Sequence, residues 1–277
     1  MAKPKSFFTL LTEAINHFIE NGYTSQKELD FWTRTLQEGI VRTLGPLSSI
    51  ETKARKSLKN TYGKLVVHGG LLRQNKGVSK YSIEMLKPKM RRDLDRRILA
   101  SANLIKLNRK EAVAITLRRF QGWATSIPKG GSRALDLKKA KASIRKPLRK
   151  VTFQEKRVII DQSQKFAASL NAVIAEGNSA IAAVWHSRWK TAGYDYRKDH
   201  KERDNLVYTI RDNWALRQGL MKVGASGYTD EITQPAEEVY CQCRYTYIYS
   251  IDALPDSMLT EKGRQLLAQA KAKISSR

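Results

Sequence analysis

Cysteine and histidine are scarce in this sequence, which has 2 Cys and 4 His among 277 residues. Two thiols cannot build a disulfide framework, and they suit a reducing compartment in which cysteines stay free. No apolar run approaches the roughly 18–20 residues that a membrane-spanning helix needs. The first residues also lack the continuous apolar stretch and the cleavage site of a secretory signal. The sequence therefore predicts neither a membrane-spanning nor a secreted protein.

Common enzyme signatures are absent as well. The chain has no Walker pattern, no dinucleotide fingerprint, no His-Glu-x-x-His and no Gly-x-Ser-x-Gly. It also lacks the Cys-x-x-Cys that zinc deaminases need. A glycine-rich stretch with a lysine, residues 127–132, does not have the spacing of a phosphate-binding loop and follows no predicted strand. We therefore predict no catalytic residue and a role that is not enzymatic.

Positive charge dominates the composition, with 51 Lys and Arg against 26 Asp and Glu and a formal net charge of +25. Residues 87–150 hold 20 Lys and Arg but only 4 Asp and Glu, a local surplus of +16. Such a surplus favours a polyanionic partner, either nucleic acid or, as the alternative, an anionic membrane surface. Because no sequence-reading DNA- or RNA-binding signature accompanies the charge, we expect non-specific contacts with the backbone of double-stranded DNA. The candidate DNA-binding residues are Lys87, Lys89, Arg91, Arg92, Arg96, Arg97, Arg118, Arg119, Lys138, Lys139, Arg145 and Lys146.

Apolar residues recur at helical spacing through most of the first 190 residues. Capping boxes, Ser25 with Glu28 and Thr152 with Glu155, predict where two of the helices begin. Residues 122–132 are predicted to be a loop. The predicted helices cover residues 6–20, 25–45, about 49–67, 89–121, 152–177 and 180–190.

The composition shifts after Gly193 to short segments rich in Tyr, Trp and Thr. Residues 244–251 alternate in the way that a strand does, and a basic helix is predicted over 257–277. The whole chain is therefore predicted to be α+β, with a mostly helical N-terminal two-thirds and a small mixed α/β C-terminal domain. We predict three regions: a helical hairpin with a basic loop region (1–80), a basic long-helix region (81–192) and the small α+β domain (193–277).

Both cysteines of the chain lie in one tripeptide, Cys241-Gln242-Cys243. On an extended segment, residues i and i+2 point to the same side, so the two thiols can bind one soft metal ion. His186 and His200 are candidates to complete a tetrahedral zinc site. Two alternatives remain open: the thiols are small apolar core residues, or a cysteine pairs with His200 as a nucleophile.

The same stretch resembles the head-morphogenesis domain of minor head proteins of tailed bacteriophages, the Mu F-like group. The resemblance begins at Trp189-x-x-Ala192-x-x-x-x-Arg197-x-x-His200 and ends, after Pro235, at Glu238-x-x-Cys241-x-Cys243-Arg244. The family pattern has an Arg-x-x-His near its start and a Cys-Arg-Cys near its end, where this chain has Gln242 between the thiols. The resemblance covers residues 185–251, about a quarter of the chain.

The resemblance implies a structural protein of the virion, inside the capsid or at the portal vertex, that is made in the host cytoplasm. It implies portal and coat proteins as partners and a role in head assembly, DNA packaging or ejection. By resemblance, His200, Cys241 and Cys243 are the site residues, with Arg197 as a supporting residue. The alternatives are a metal-dependent nuclease or transferase that uses the His200/Cys241/Cys243 region, and a general basic nucleic-acid-binding protein.

Overall fold

The computed structural model describes residues 5–129 and 136–275. The chain forms two compact units, each built from two separate stretches of sequence. Unit 1 combines residues 1–55 with 100–159, and unit 2 combines residues 56–99 with 160–277. This grouping differs from the predicted regions 1–80, 81–192 and 193–277. Two long helices, residues 80–126 and 137–177, each contribute residues to both units, so three consecutive regions of the chain do not correspond to the units.

Unit 1 begins with a helical hairpin, as predicted. Helix α1 (Phe7–Asn21) and helix α2 (Gln26–Leu44) start at Ser6 and Ser25, whose hydroxyls accept hydrogen bonds from backbone N–H groups of the first turns. The apolar faces of both helices enter one core that also contains Phe120 and Ile144. Close approach of α1 and α2 depends on Gly39, where an added Cβ would lie 2.8 Å from a methyl carbon of Leu10.

The two longest helices, residues 80–126 and 137–177, extend beyond the predicted ranges 89–121 and 152–177. Helix α5 (Lys80–Ser126) begins nine residues before the predicted start at residue 89. It continues to Ser126, so residues 122–126 are helical and the predicted loop is wrong there. Residues 130–132 of that loop lie outside the described residues. The elements are α3 (Leu47–Tyr62), a π-helical turn (Gly63–Val67), α4 (Gly70–Gln74), α5 (Lys80–Ser126) and α6 (Leu137–Gly177).

Helix α6 corrects the second predicted capping box, because the helix runs straight through Thr152. Glu155 is buried and pairs with the guanidinium of Arg109, so its carboxylate does not cap a helix. Helix α6 also tolerates Pro147 in its interior. A proline has no N–H, which leaves the carbonyl four residues earlier without its helical donor. Arg119 donates a hydrogen bond to that carbonyl, on Ser143, at 2.8 Å.

Unit 2 contains a three-stranded antiparallel sheet in the order β2–β1–β3. The strands are β1 (Ala182–His186), β2 (Val207–Thr209) and β3 (Arg244–Ile248). Strand β3 confirms the predicted strand, whereas β1 corrects the helix predicted over 180–190. As the central strand, β1 is covered on both faces: Ala182 faces one apolar cluster, and Ala183 and Trp185 face another. A strand buried on both faces reads as a continuous apolar run, which periodicity cannot distinguish from a buried helix.

Short elements complete unit 2. They are α7 (Lys198–Glu202), α8 (Trp214–Arg217) and α9 (Glu261–Ser275), with 3₁₀ turns at 229–231, 251–253 and 256–258. Helix α9 confirms the predicted C-terminal helix. The fold is thus α+β and mostly helical, with the sheet near the C-terminal end. Within the described ranges, no helix has both the length and the apolar character needed to cross a membrane.

Candidate metal centre

Three of the four predicted metal ligands converge in unit 2. His200 lies on α7, while Cys241 and Cys243 lie on the segment that leads into β3. The Nδ1 atom of His200 is 3.6 Å from the Sγ atom of Cys241 and 3.5 Å from the Sγ atom of Cys243. All three ligand atoms lie within 4.8 Å of one another. One imidazole nitrogen and two thiols at such distances form three corners of the donor set that zinc prefers.

The cluster is buried, with His200 1% exposed, Cys241 0% and Cys243 3%. The indole of Trp185 meets the imidazole of His200 edge to face, with ring centroids 5.1 Å apart. Cys243 also lines a cleft of about 530 Å³ together with Lys165, Arg244 and other residues of unit 2. His200 and Cys241 do not line this cleft, and the burial of all three side chains would keep a bound metal ion away from bulk water.

A carboxylate fixes the orientation of the histidine. Glu238 Oε2 lies 2.9 Å from His200 Nε2 and 3.0 Å from the Nε atom of Arg197. Glu238 Oε2 and His200 Nε2 are in close contact, although their geometry is not that of a well-aligned hydrogen bond. A carboxylate at this distance favours the tautomer that carries its proton on Nε2, which leaves the Nδ1 lone pair facing the two thiols. Histidines that bind metals are commonly oriented by a carboxylate in this manner.

The pKa values of the two thiols shift in opposite directions. The hydrogen bond from the Cys243 thiol is the main cause that lowers the pKa of Cys241, against the opposing effect of burial. The backbone N–H groups of Cys243 and Ala236 and the nearby His200 lower the pKa further, and the Ala236 N atom is 3.3 Å from the Cys241 sulfur. The same shared proton and burial raise the pKa of Cys243. These shifts favour a thiolate at Cys241, the form in which cysteine binds metals.

Helix α6 anchors the backbone around the cysteines. The carboxylate of Asp161 accepts a hydrogen bond from the Tyr240 N–H at 2.6 Å. The ammonium of Lys165 donates to the carbonyls of Ala236 and Glu237 at 3.0 and 2.6 Å. The segment 236–241 has no regular secondary structure, so these side chains satisfy backbone groups that a helix or strand would otherwise pair. The thiols are thereby held in place before any metal binds.

His186 is the predicted ligand that the structure does not bring to the cluster. It lies on β1 and pairs with Arg244 on β3. Successive side chains of a strand point to opposite faces, so Trp185 faces His200 and His186 points away. Burial and the charge of Arg244 lower the pKa of His186. The fourth-ligand prediction for His186 is therefore wrong for geometric reasons.

Sequence reasoning missed Glu238 as a partner of the histidine, although it named Arg197 as a supporting residue. Arg197 precedes His200 by three residues, and Glu238 precedes Cys241 by three residues. The side chains of Arg197 and Glu238 meet at 3.0 Å, and Arg197 also donates to the Val239 carbonyl at 3.0 Å. Both residues precede a ligand by three positions and carry opposite charges, but the sequence alone does not indicate that they meet.

The predicted DNA-binding residues divide between the two units. Lys87 to Arg97 belong to unit 2, and Arg118 to Lys146 belong to unit 1. Three of the twelve are half-buried: Lys87, Arg97 and Arg145. Several have partners within the protein, since Arg96 pairs with Asp93 and Lys89 with Glu176. The residues that are exposed are Lys89, Arg91, Arg92, Arg96, Arg118, Arg119, Lys138, Lys139 and Lys146.

The site therefore defines a class by its donors: a buried cluster of one histidine and two cysteines in a small α+β unit. Among residues 5–129 and 136–275, one group of three His, Cys, Asp or Glu side chains has ligand atoms close enough to hold a metal ion, and it consists of His200, Cys241 and Cys243. Comparison of the chain with protein-family models, with curated proteins and with solved structures finds no match.

Proposed function

We propose that this protein is a structural minor head protein of a tailed bacteriophage, with a zinc-stabilised C-terminal region and a basic helical region that binds DNA. The observation that carries the proposal is the convergence of His200, Cys241 and Cys243. The resemblance selected these residues from a chain with no other cysteine, and they meet as one buried cluster. Portal and coat subunits of the head are the proposed protein partners.

The donor set fits a structural zinc ion. Zinc binds nitrogen and sulfur donors, and structural zinc sites are commonly tetrahedral. His200, Cys241 and Cys243 would hold the ion, and Glu238 would orient the imidazole. Bound zinc would link α7 to the segment before β3, two stretches that are about forty residues apart in the sequence. Three protein ligands would leave the fourth position of a tetrahedral site open, as in catalytic zinc sites. Burial of all three ligands nevertheless favours a structural role, because a substrate would have no access to that position in this conformation.

The charge distribution supports a DNA-binding role for the basic helices. Residues 56–159 hold 28 Lys and Arg against 6 Asp and Glu, a formal charge of +22. Long helices present many of these cations to solvent. Neutralising DNA phosphates releases counterions, so the affinity for duplex DNA should fall steeply with salt and depend little on sequence. A protein with this behaviour suits a particle that is filled with DNA.

The test has a DNA arm and an assembly arm. Duplex DNA of two unrelated sequences is titrated at several salt concentrations, and both should bind alike with a steep slope of log K against log salt. The protein is then co-expressed with the portal and coat proteins of its phage, and purified heads are probed for it. Salt-insensitive binding to DNA, or absence from the heads, would contradict the proposal. Equal binding to RNA with absence from heads would favour a general nucleic-acid-binding protein.

A second candidate is an enzyme that uses Cys241 as a nucleophile, favoured by its lowered pKa and its contact with His200. Cysteine nucleophiles are activated in this way. However, the sulfur of Cys241 is completely buried, so a substrate could not reach it in this conformation. Alkylation of the native, metal-free protein with iodoacetamide distinguishes the candidates. An activated nucleophile at Cys241 should react rapidly, whereas a buried structural thiol should react only after unfolding.

A further inference from the structure

An apolar groove crosses the surface of unit 1 between α2 and α5. It has a volume of about 470 Å³. Its floor contains Leu44, Val113 and Leu117, which pack against the unit 1 core on one side and are only partly buried on the other. Val41, on the α2 side of the groove, is 60% exposed. A second hollow shares Gln37 and Val41 with the groove and extends it along α2.

A buried contact fixes one end of the groove. The guanidinium of Arg109 donates to the carbonyls of Gly45 and Leu44, at 2.9 and 3.3 Å. These carbonyls end helix α2, so Arg109 satisfies backbone groups that the helix leaves unpaired. Glu155 pairs with Arg109 from α6 and holds the guanidinium in place. A groove fixed in this way needs little rearrangement to accept a partner.

The charges around the groove are mostly positive. Lys106 and Lys110 stand four residues apart on the same face of α5, and both are exposed. Arg34 is exposed at the α2 side of the second hollow. Glu38, also at the rim, lies 3.7 Å from Arg42. An apolar floor between cationic edges is complementary to a segment with apolar residues on one face and acidic residues beside them.

We propose that this groove binds an amphipathic, acidic helix of a partner protein. The α5 wall from residue 106 to 117 is about 16 Å long, which matches roughly three turns of a helix. Helical walls on both sides of an apolar floor suit a third helix that inserts residues at i, i+3/i+4 and i+7. A second copy of this chain is a poor occupant, because two chains of net charge +25 repel each other. The proposal goes beyond the metal site and the DNA-binding surface and depends on neither.

The test uses a fluorescein-labelled synthetic peptide of about 18 residues, with leucines at i, i+3/i+4 and i+7 flanked by glutamates. One control peptide has the same composition with the leucines scrambled, and another has lysine in place of each glutamate. Fluorescence anisotropy with the full-length protein should show binding of the acidic amphipathic peptide. The scrambled and lysine peptides should bind at least tenfold more weakly. Equal binding of the scrambled peptide would reduce the interaction to bulk charge and overturn the proposal.

Variants locate the interaction. Val41→Asp should weaken binding of the acidic peptide at least tenfold, whereas Phe31→Asp should not, although both side chains are 60% exposed on the same helix. Phe31 does not line the groove. The double change Lys106→Glu and Lys110→Glu should lose the acidic peptide and gain the lysine peptide. Equal loss in both aspartate variants would contradict the proposal, as would a wild-type dimer that Val41→Asp dissociates in sedimentation. Unchanged circular dichroism and metal content separate these results from a failure of the zinc proposal.

Discussion

Residues 56–159 and residues 160–277 are similar in length but differ in net charge and in the secondary structure that holds their backbones in place. The first stretch has a formal charge of +22, whereas the second has 16 Lys and Arg against 14 Asp and Glu, a formal charge of +2. The described residues of the first stretch, called the helical stretch below, lie mostly in long helices, which satisfy their own backbone groups. The second has strands of five, three and five residues joined by short turns and loops.

The irregular stretch depends on side chains to satisfy its backbone. Asn213 donates to the carbonyls of Ile181 and Ile210 at 3.2 and 2.7 Å. Asn171 donates to the Tyr245 carbonyl at 2.9 Å, and Asp204 accepts from the Ser187 N–H at 2.8 Å. Small sheets have little stability of their own. A cross-link such as a metal ion therefore has most to contribute in the second stretch, while exposed cations of the first stretch, such as Arg92 and Arg118, face solvent.

The largest expected effect is the loss of stability that follows loss of the metal. Cys241→Ser, or removal of metal with EDTA, should strongly destabilise residues 160–277. Apparent contributions of structural zinc reach about 10 kcal/mol or more in small zinc modules. Calorimetry with and without EDTA measures the effect. If the thiols are only apolar core residues, the variant should lose about 1–3 kcal/mol and the wild type should be indifferent to EDTA.

The second expected effect tests the helical stretch. Glu155→Ala should leave Arg109 buried without its partner and cost about 3–5 kcal/mol of unfolding free energy. The double variant Arg109→Met with Glu155→Leu should recover part of that loss, because it removes both charges together. Denaturant titration measures each value. The loss should be the same in EDTA. A loss that vanishes when EDTA is present would show that the two stretches are not stabilised independently.

A smaller effect is expected at the carboxylate that orients His200. Glu238→Gln should weaken zinc binding by about 10- to 100-fold, because metal affinity falls by that factor when such a partner is removed. Competition with a chromogenic chelator measures the affinity. Glu202→Gln, on the same helix as His200 and exposed, is the matched control. Equal affinities for both variants would contradict the role of Glu238 as an orienting residue.

The smallest expected effect on stability accompanies a large effect on DNA binding. Reversing exposed cations of the helical stretch, as in Arg92→Glu, Arg118→Glu and Lys146→Glu together, should lower the salt slope of DNA binding by up to about 3, at about 0.9 for each lost phosphate contact. The change in unfolding free energy should stay small, because the sites are exposed.

The matched control for DNA binding reverses three exposed cations of the second stretch, as in Arg217→Glu, Lys222→Glu and Lys271→Glu. Both triple variants change the net charge by the same amount. If they weaken DNA binding equally, overall charge rather than the helical stretch determines the interaction. Binding is measured by fluorescence anisotropy with labelled duplex DNA at several salt concentrations.

The helical stretch was largely predictable because its signals are local. Ser25 accepts a hydrogen bond from the Glu28 N–H and starts α2, as its sequence position indicates. Thr152 and Glu155 carry the same local pattern, but it does not start a helix. Glu155 instead pairs with Arg109, 46 residues away, and such a contact has no signature in a short window of sequence. Tertiary packing overrode the local signal.

The candidate site was predictable in its residue types but not in its geometry. The scarcity of cysteine and the Cys-x-Cys spacing identify the thiols, residue chemistry adds His186 and His200 as candidate ligands, and the resemblance includes only His200 of the two. His186 has the right chemistry, yet the alternation of β1 turns it away, and that strand was itself predicted to be a helix. Glu238 is found only when the fold brings residues 197 and 238 within 3.0 Å of each other.

The central claim is that zinc organises residues 160–277, and elemental analysis of the purified protein tests it most directly. Protein purified without chelators should contain about one zinc ion per chain. Cys241→Ser should lose the zinc, whereas His186→Ala should keep it, because His186 lies outside the cluster. Wild-type protein without metal, or zinc that remains in Cys241→Ser, would contradict the account.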